Sequence, residues 1–234
     1  MAFKRGLSDG ADGIEFDVRL SRDGVPVVIH DANLKRTGSA RAVADITSAE
    51  LSRCDVGSWF NRAYPLFGRA EYAEQYVPTL EETLTTLKAS SRANWVAYAE
   101  LKIDRGQEYR ELARAVANLV SNHNLEAQVV VISFNLKALA LIKKYSSIRT
   151  AAHGFASKHR KIAQALDCGA SEILFHRLFA TRRAIEAALA AQLTPVVWTV
   201  DATKWIERAQ ECGIHGLITN DPAKMLRQRD ILLT

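Results

Sequence analysis

From residue 95 to the C-terminus one pattern recurs. A short apolar, β-branched run is followed by a polar turn and then by an Ala/Leu-rich stretch of helical period. The runs predict strands at 95–102, 128–135, 148–154, 172–176, 195–200 and 216–220. Helices are predicted between and after them at 107–122, 136–146, 159–167, 181–191, 203–211 and 222–231. Strands that alternate with helices over short connections pair in parallel, because parallel neighbours need a crossover. Nearly continuous apolar strands such as Val129-Val130-Val131-Ile132 fit a sheet covered on both faces.

The first third is organised differently. Residues 2–9 read as the tail of a helix that stops at Gly10, and 13–20 reads as a strand. Ser21-Arg22-Asp23-Gly24 is a tight-turn signal that leads into a second apolar run, 25–31. Residues 33–77 carry little regular pattern and return through Pro78-Thr79-Leu80 into a helix at 79–89. An excursion of that length in a compact domain is usually functional. The parallel strands number seven (13–20 and the six above), where a closed barrel of this class needs eight. The expectation is one barrel domain, 1–234, lacking its first strand.

Composition narrows the function classes. A chain of 234 residues, 48% hydrophobic and 24% charged, suits one large α/β domain. A net charge of +5 describes a mildly basic surface, and Lys158-His159-Arg160-Lys161 reads as a solvated face, so no nucleic-acid partner is expected. Cys54, Cys168 and Cys212 are odd in number and form no CxxC pair, which argues against disulfides or zinc and points to the cytosol. No apolar run approaches the ~20 residues that span a bilayer.

In a strand, side chains two apart share a face, so Glu15 and Asp17 point the same way. Two carboxylates inside a barrel repel and are costly to bury, and a divalent cation with oxygen ligands removes that cost. A solvent-facing pair on an edge strand is the alternative. Glu100 and Lys102 likewise share a face late in an apolar strand, either as a structural ion pair or as a metal oxygen beside a phosphate-neutralising ammonium. Barrel enzymes place their chemistry at these strand ends. His30, followed by Asp31 as an orienting partner, is a candidate proton-transfer group. Phe134 and Trp198 close two strands and are either core or the wall of an apolar pocket. His153, His159, His176 and His215 have no comparable neighbours and read as structural.

Taken in order, these pieces resemble the glycerophosphodiester phosphodiesterase family. The resemblance runs through Gly10–Val18, Arg22–Asp31, Arg36-Thr37, Asp55–Phe60, Val77–Leu80, Glu100-Leu101-Lys102, Ser133-Phe134, Trp198–Val200 and Gly216–Pro222. It is collinear over nearly the whole chain. It implies a TIM-type (β/α) barrel of the PLC-like phosphodiesterase superfamily that hydrolyses small-molecule glycerophosphodiesters to glycerol 3-phosphate and an alcohol, using Mg²⁺ or Ca²⁺. By position it makes Glu15, Asp17 and Glu100 metal ligands and Lys102 a phosphate contact. His30 becomes one of two acid/base histidines, Phe134 and Trp198 border the glycerol, and 33–77 is an insertion over the barrel mouth. The family's His-Arg-Gly and Pro-Glu-Asn-Thr segments do not occur in this sequence. The resemblance therefore implies an internal Met1, with the start roughly 20–30 residues upstream, one βα connection's worth of chain. If the chain starts at Met1, the expectation changes to a weakly active relative that binds metal and ligand, or to an open barrel that binds a partner.

Overall fold

A computed structural model describes residues 1–90, 94–103, 107–154 and 158–233. The side chains of Lys158 and His159, and with them part of the basic cluster read from the sequence, lie outside the described set. The chain opens with helix α1 (Ala2–Ser8), then strands β1 (Gly13–Leu20) and β2 (Pro26–Val28). Short helices α2 (Ser48–Leu51) and α3 (Ser58–Ala63) come next, then α4 (Leu80–Lys88) and β3 (Val96–Leu101). The alternating part comprises α5 (Tyr109–Asn122), β4 (Val129–Ser133), α6 (Leu136–Tyr145), β5 (Arg149–Gly154) and α7 (Lys158–Asp167). It continues through β6 (Glu172–His176), α8 (Arg182–Ala190), β7 (Thr194–Trp198), α9 (Lys204–Cys212), β8 (Gly216–Leu217) and α10 (Pro222–Leu233).

The strands form one sheet in the order β2-β1-β3-β4-β5-β6-β7-β8. Among the described residues only β2 is antiparallel, and β1 and β3 to β8 make the seven parallel strands expected. The sheet curls with helices outside it, an α/β barrel with partial closure. β2 and β8 are its edges, and β8 is half-buried where β4 is wholly buried. The last helix nevertheless reaches round to the first strand. Arg229 lies 3.8 Å from Asp12, and Gly10, at φ +98, sits so close under Leu226 that a side chain there would press on it.

Strand parity sorts the interior into layers. Tyr98, Val130, Ile132, Ala151, Leu174 and Val196 pack together inside the barrel. The alternate residues, among them Phe16, Val18, Ala97, Ala99, Val129, Val131, Ile173 and Val197, pack outward beneath the helices. At the end where the strands begin, the interior closes on a polar knot. The Tyr98 hydroxyl donates to Glu172 Oε2 at 2.7 Å and Arg149 Nη1 donates to Oε1 at 3.0 Å. Burial and the Glu172 charge push the Tyr98 phenol above its ordinary pKa.

Where elements differ from the sequence reading, local hydrogen bonding explains it. The 25–31 run is a strand only over Pro26–Val28. At its last residue, Val28 N–H donates to Pro78 O at 2.8 Å, and after one more bond to β1, from Ile29 N–H to Asp17 O at 2.9 Å, the chain leaves for the 33–77 excursion. Strand β8 ends at Leu217 rather than 220 because Asp201 captures the loop beyond it, accepting from Thr219 Oγ1 at 2.9 Å and from Asn220 N at 2.8 Å. The 33–77 excursion has its own small core, in which Leu34, Val43, Ile46, Leu51 and Val77 pack on Val27 of β2. It is tied down where Ser48 N donates to Asp23 at 2.9 Å. The helix after it starts on a capping box, Thr79 with Glu82.

The knot under the barrel gives a stability test. Glu172→Ala orphans the buried Tyr98 hydroxyl and one arm of Arg149, and is expected to lower unfolding free energy by about 2–3 kcal/mol. Urea titration of the variant against the parent measures it, and an unchanged midpoint would show that the knot contributes nothing.

Candidate active site

The interior parity that buries Tyr98 and Ala151 also aims the next residues along each strand at the opposite, C-terminal end. There β3 presents Glu100 and then Lys102, β5 presents His153, β6 His176 and β7 Trp198, with Phe134 just past β4. Strand β1 adds Glu15 and Asp17. Its register against β3 sets Asp17 directly opposite Glu100 and Glu15 opposite Tyr98. The two charged pairs read from the sequence, Glu15-Asp17 and Glu100-Lys102, therefore meet in one cluster, in which single oxygens of Glu15, Asp17 and Glu100 lie within 4.8 Å of one another.

Lys102 joins them. Its Nζ is 2.7 Å from Glu100 Oε1 and 3.1 Å from Asp17 Oδ1. At an effective dielectric of about 20, two carboxylates at that spacing repel by roughly 3–4 kcal/mol, so one ammonium against three acids leaves the charge unbalanced. The imbalance falls on Glu15. Burial first, then the charges of Asp17 and Glu100, push its pKa up from 4.5 to about 8 against the opposing pull of Lys102. For Glu100, burial alone would raise the pKa, but hydrogen bonds from His153 and Lys102 outweigh it and hold the carboxyl below its ordinary value. Burial opposes the Lys102 charge as well, yet Glu100 and Asp17 keep the ammonium above its usual pKa.

His30 lies just past β2, where Ile29 N–H donates to Asp17 O at 2.9 Å and Arg19 donates to His30 O from Nε at 3.0 Å. Its ring is mostly exposed, with Nδ1 2.8 Å from Asp31 Oδ1. With Asp31 ionised, Nδ1 is the donor in this contact, which in the neutral ring leaves the lone pair on Nε2. Asp31 is held below the usual carboxylate pKa by the His30 hydrogen bond and then by Arg36.

The sequence reading set His153 aside, but the structure puts it in the site. It is buried, 3.4 Å from Glu100 Oε2 through Nε2, and stacked on Phe134 with ring centroids 3.7 Å apart. Trp198 meets His153 and His176 edge-on at 5.3 and 5.1 Å. Phe134 is half exposed on its other side, so the two aromatics form a wall beside the acids rather than sealed core. The signal for His153 was present, since it shares its parity with Ala151 and falls at a strand's C-terminal end.

Residues 1–224 match the model of the glycerophosphoryl diester phosphodiesterase family. The chain belongs to that family. A glycerophosphodiester phosphodiesterase from Caldanaerobacter subterraneus subsp. tengcongensis is 28% identical over 96% of this chain and 88% of its own length. Two solved structures share the fold. An Oleispira antarctica phosphodiesterase in complex with the product sn-glycerol-3-phosphate superposes with a TM-score of 0.84 at 24% identity, covering 98% of this chain and 89% of that one. A glycerophosphodiester phosphodiesterase from Parabacteroides distasonis gives a TM-score of 0.78 at 23% identity over 99% and 89%.

The acids fit a hard divalent cation. Ligands at about 2.4 Å on opposite sides of one ion stand about 4.8 Å apart, so three oxygens within that span can share it. All three donors are carboxylates, and Glu15, protonated to about pH 8 without a cation, is the group whose ionisation a cation would restore.

The same shift sets the pH dependence of the cation-free protein. Unfolded Glu15 loses its proton near 4.5 while the folded residue keeps it to about 8. Between these values the folded state binds more protons, so the stability Glu15 allows in full below 4.5 is lost as pH rises to about 8. In chelator, Glu15→Gln is expected to melt above the parent at pH 8–9, with the gap closing toward pH 4.5. A gap independent of pH in thermal melts would contradict this electrostatic account.

Proposed function

We infer that this chain hydrolyses glycerophosphodiesters to glycerol 3-phosphate and an alcohol. The observation that carries the reading is the convergence of Glu15, Asp17 and Glu100 on one point, with Lys102 between two of them, at the C-terminal end of a barrel of this family. The three carboxylates would hold Mg²⁺ or Ca²⁺, since oxygen donors suit both. When bound, such an ion offsets negative charge on the phosphoryl oxygens and polarises phosphorus toward attack.

The remaining work falls to the protein's own groups. Lys102, kept charged by Glu100 and Asp17, is the ammonium for a phosphate oxygen. His30 is the acid/base group and acts at Nε2, with Asp31 fixing its ring. In hydrolysis the water oxygen bonds to phosphorus and gives up a proton, the bond from phosphorus to the head-group oxygen breaks, and the departing oxygen takes a proton. The water's proton thus ends on the alcohol, with His30 Nε2 as the relay. Phe134 and Trp198 offer an apolar wall against the glycerol carbons. His153 is a positioning residue that orients Glu100 through its 3.4 Å contact. The 33–77 insertion leaves β2 beside His30 and is read as overhanging the mouth. Three free cysteines support a reducing compartment. Among the described residues no helix is long and apolar enough to cross a membrane.

Release of glycerol 3-phosphate from glycerophosphocholine, with and without EDTA, tests the reading. Activity that needs Mg²⁺ or Ca²⁺ and disappears with EDTA is expected. A chain that melts higher with the ion yet releases nothing would be a binding relative instead. His30→Ala is expected to lower kcat by roughly 10²–10⁴-fold while glycerol phosphate still raises the melting temperature. Near-parental kcat would make His30 structural. Glu100→Gln should abolish the cation-dependent rise in melting temperature, and a preserved rise would move the ion elsewhere.

A further inference from the structure

We propose that the tip of the insertion, Tyr64-Pro65-Leu66-Phe67, docks this protein onto an anionic lipid bilayer surface. The inference does not depend on the proposed hydrolysis. Leu66 is 93% exposed, Phe67 69% and Tyr64 49%, in consecutive positions around a proline. Scattered exposed apolar residues are ordinary, but a contiguous protruding run marks an interaction site.

The tip is held out by its base. Asn61 clamps the far side of the loop, donating from Nδ2 to Arg69 O at 2.8 Å and accepting from Arg69 N at 3.0 Å. Within the clamp, Phe67 N–H donates to Tyr64 O at 2.9 Å. Below it, the Tyr64 ring rests on Phe60 at 5.1 Å, and Phe60 meets Tyr72 at 5.9 Å. Leu66 and Phe67 lie above this aromatic base in a turn already closed, so little conformational entropy remains to be lost on docking.

Charge and shape select the occupant. From residue 56 to 70 the only charged residues are Arg62 and Arg69, one on each flank of the tip, and the acids Asp55, Glu71 and Glu74 fall outside that span. Asp55, just outside, is engaged in capping Gly57 and Ser58. Apolar side chains between two arginines match an interface where acyl chains lie beneath phosphates. A protein partner fits less well, since stable interfaces take about 800 Å² from each side and a tip of four residues offers far less. A second copy would bring the same cationic tip against itself.

Co-sedimentation with large unilamellar vesicles tests this at low salt. The parent is expected to pellet with vesicles of phosphatidylglycerol and phosphatidylcholine and to remain soluble with phosphatidylcholine alone. L66S/F67S is expected to lower the partition coefficient about tenfold or more. R62Q/R69Q should lower it several-fold and remove most of its salt dependence. These side chains lie on the exposed tip, so circular dichroism and the melting temperature should match the parent in both variants. Equal pelleting of L66S/F67S and parent, or no pelleting of the parent with anionic vesicles, would overturn the proposal. So would a parental dimer in analytical ultracentrifugation that L66S/F67S dissociates, because the tip would then belong to a second copy.

Discussion

The site depends on one register. Pairing β1 with β3 so that Asp17 faces Glu100 brings acids from strands more than eighty residues apart in sequence onto one spot. A slip of one residue would turn Glu15 and Asp17 outward beneath the helices and Phe16 and Val18 inward. The apolar demand of the outer layer thus holds the carboxylates together against their own repulsion. Phe16 and Val18 are almost wholly buried against the helical ring, and neither has another place to go. Hydrophobic burial at these positions stabilises the strand on which an electrostatically unfavourable cluster is mounted.

The two polar layers of the barrel answer the same problem in different ways. At the closed end Glu172 is satisfied by Tyr98 and Arg149, and the knot is complete within the protein. At the open end Lys102 is shared between Asp17 and Glu100, and Glu15 responds by keeping its proton well above the usual range. A buried ionic group that is complete is structural, whereas one left short of positive charge is poised for a ligand that supplies it. An apolar layer of Val130, Ala151, Leu174 and Val196 lies between the two.

Much of this was legible in the residues. Period-two alternation put Glu15 with Asp17 and Glu100 with Lys102 on shared faces, and the recurrence of strand and helix gave the parallel order. What the pattern does not carry is distance between strands. Alternation alone gives Glu15-Asp17 and Glu100-Lys102 as two dyads; it was the family resemblance that set Glu15, Asp17 and Glu100 on one ion, and the β1–β3 register is what brings their side chains together. His153 was missed for a related reason. Its partners, Glu100 from β3 and Phe134 beyond β4, come from the next two strands in the barrel order, so no neighbour in sequence announces it. The short β8 was overextended because Ile218 and Thr219 have strand propensity, while Asp201 on another loop decides their hydrogen bonds.

The insertion is more than an appendage to the barrel because Asp31 belongs to both. One of its oxygens takes the His30 ring, and the carboxylate as a whole takes the Arg36 guanidinium at 3.0 Å. Arg36 in turn covers Trp59 at 4.7 Å, and Trp59 packs against Phe60 at the base of the exposed tip. A continuous line of contacts therefore runs from His30 to the exposed tip of the insertion. The small core around Val43, Ile46 and Leu51 gives the insertion stability of its own, so it meets the barrel as a packed unit rather than a loose loop. A carboxylate that orients a histidine and also anchors the insertion fixes the ring only while the insertion is seated. That arrangement couples the packing of 33–77 against β2 to the orientation of the His30 ring.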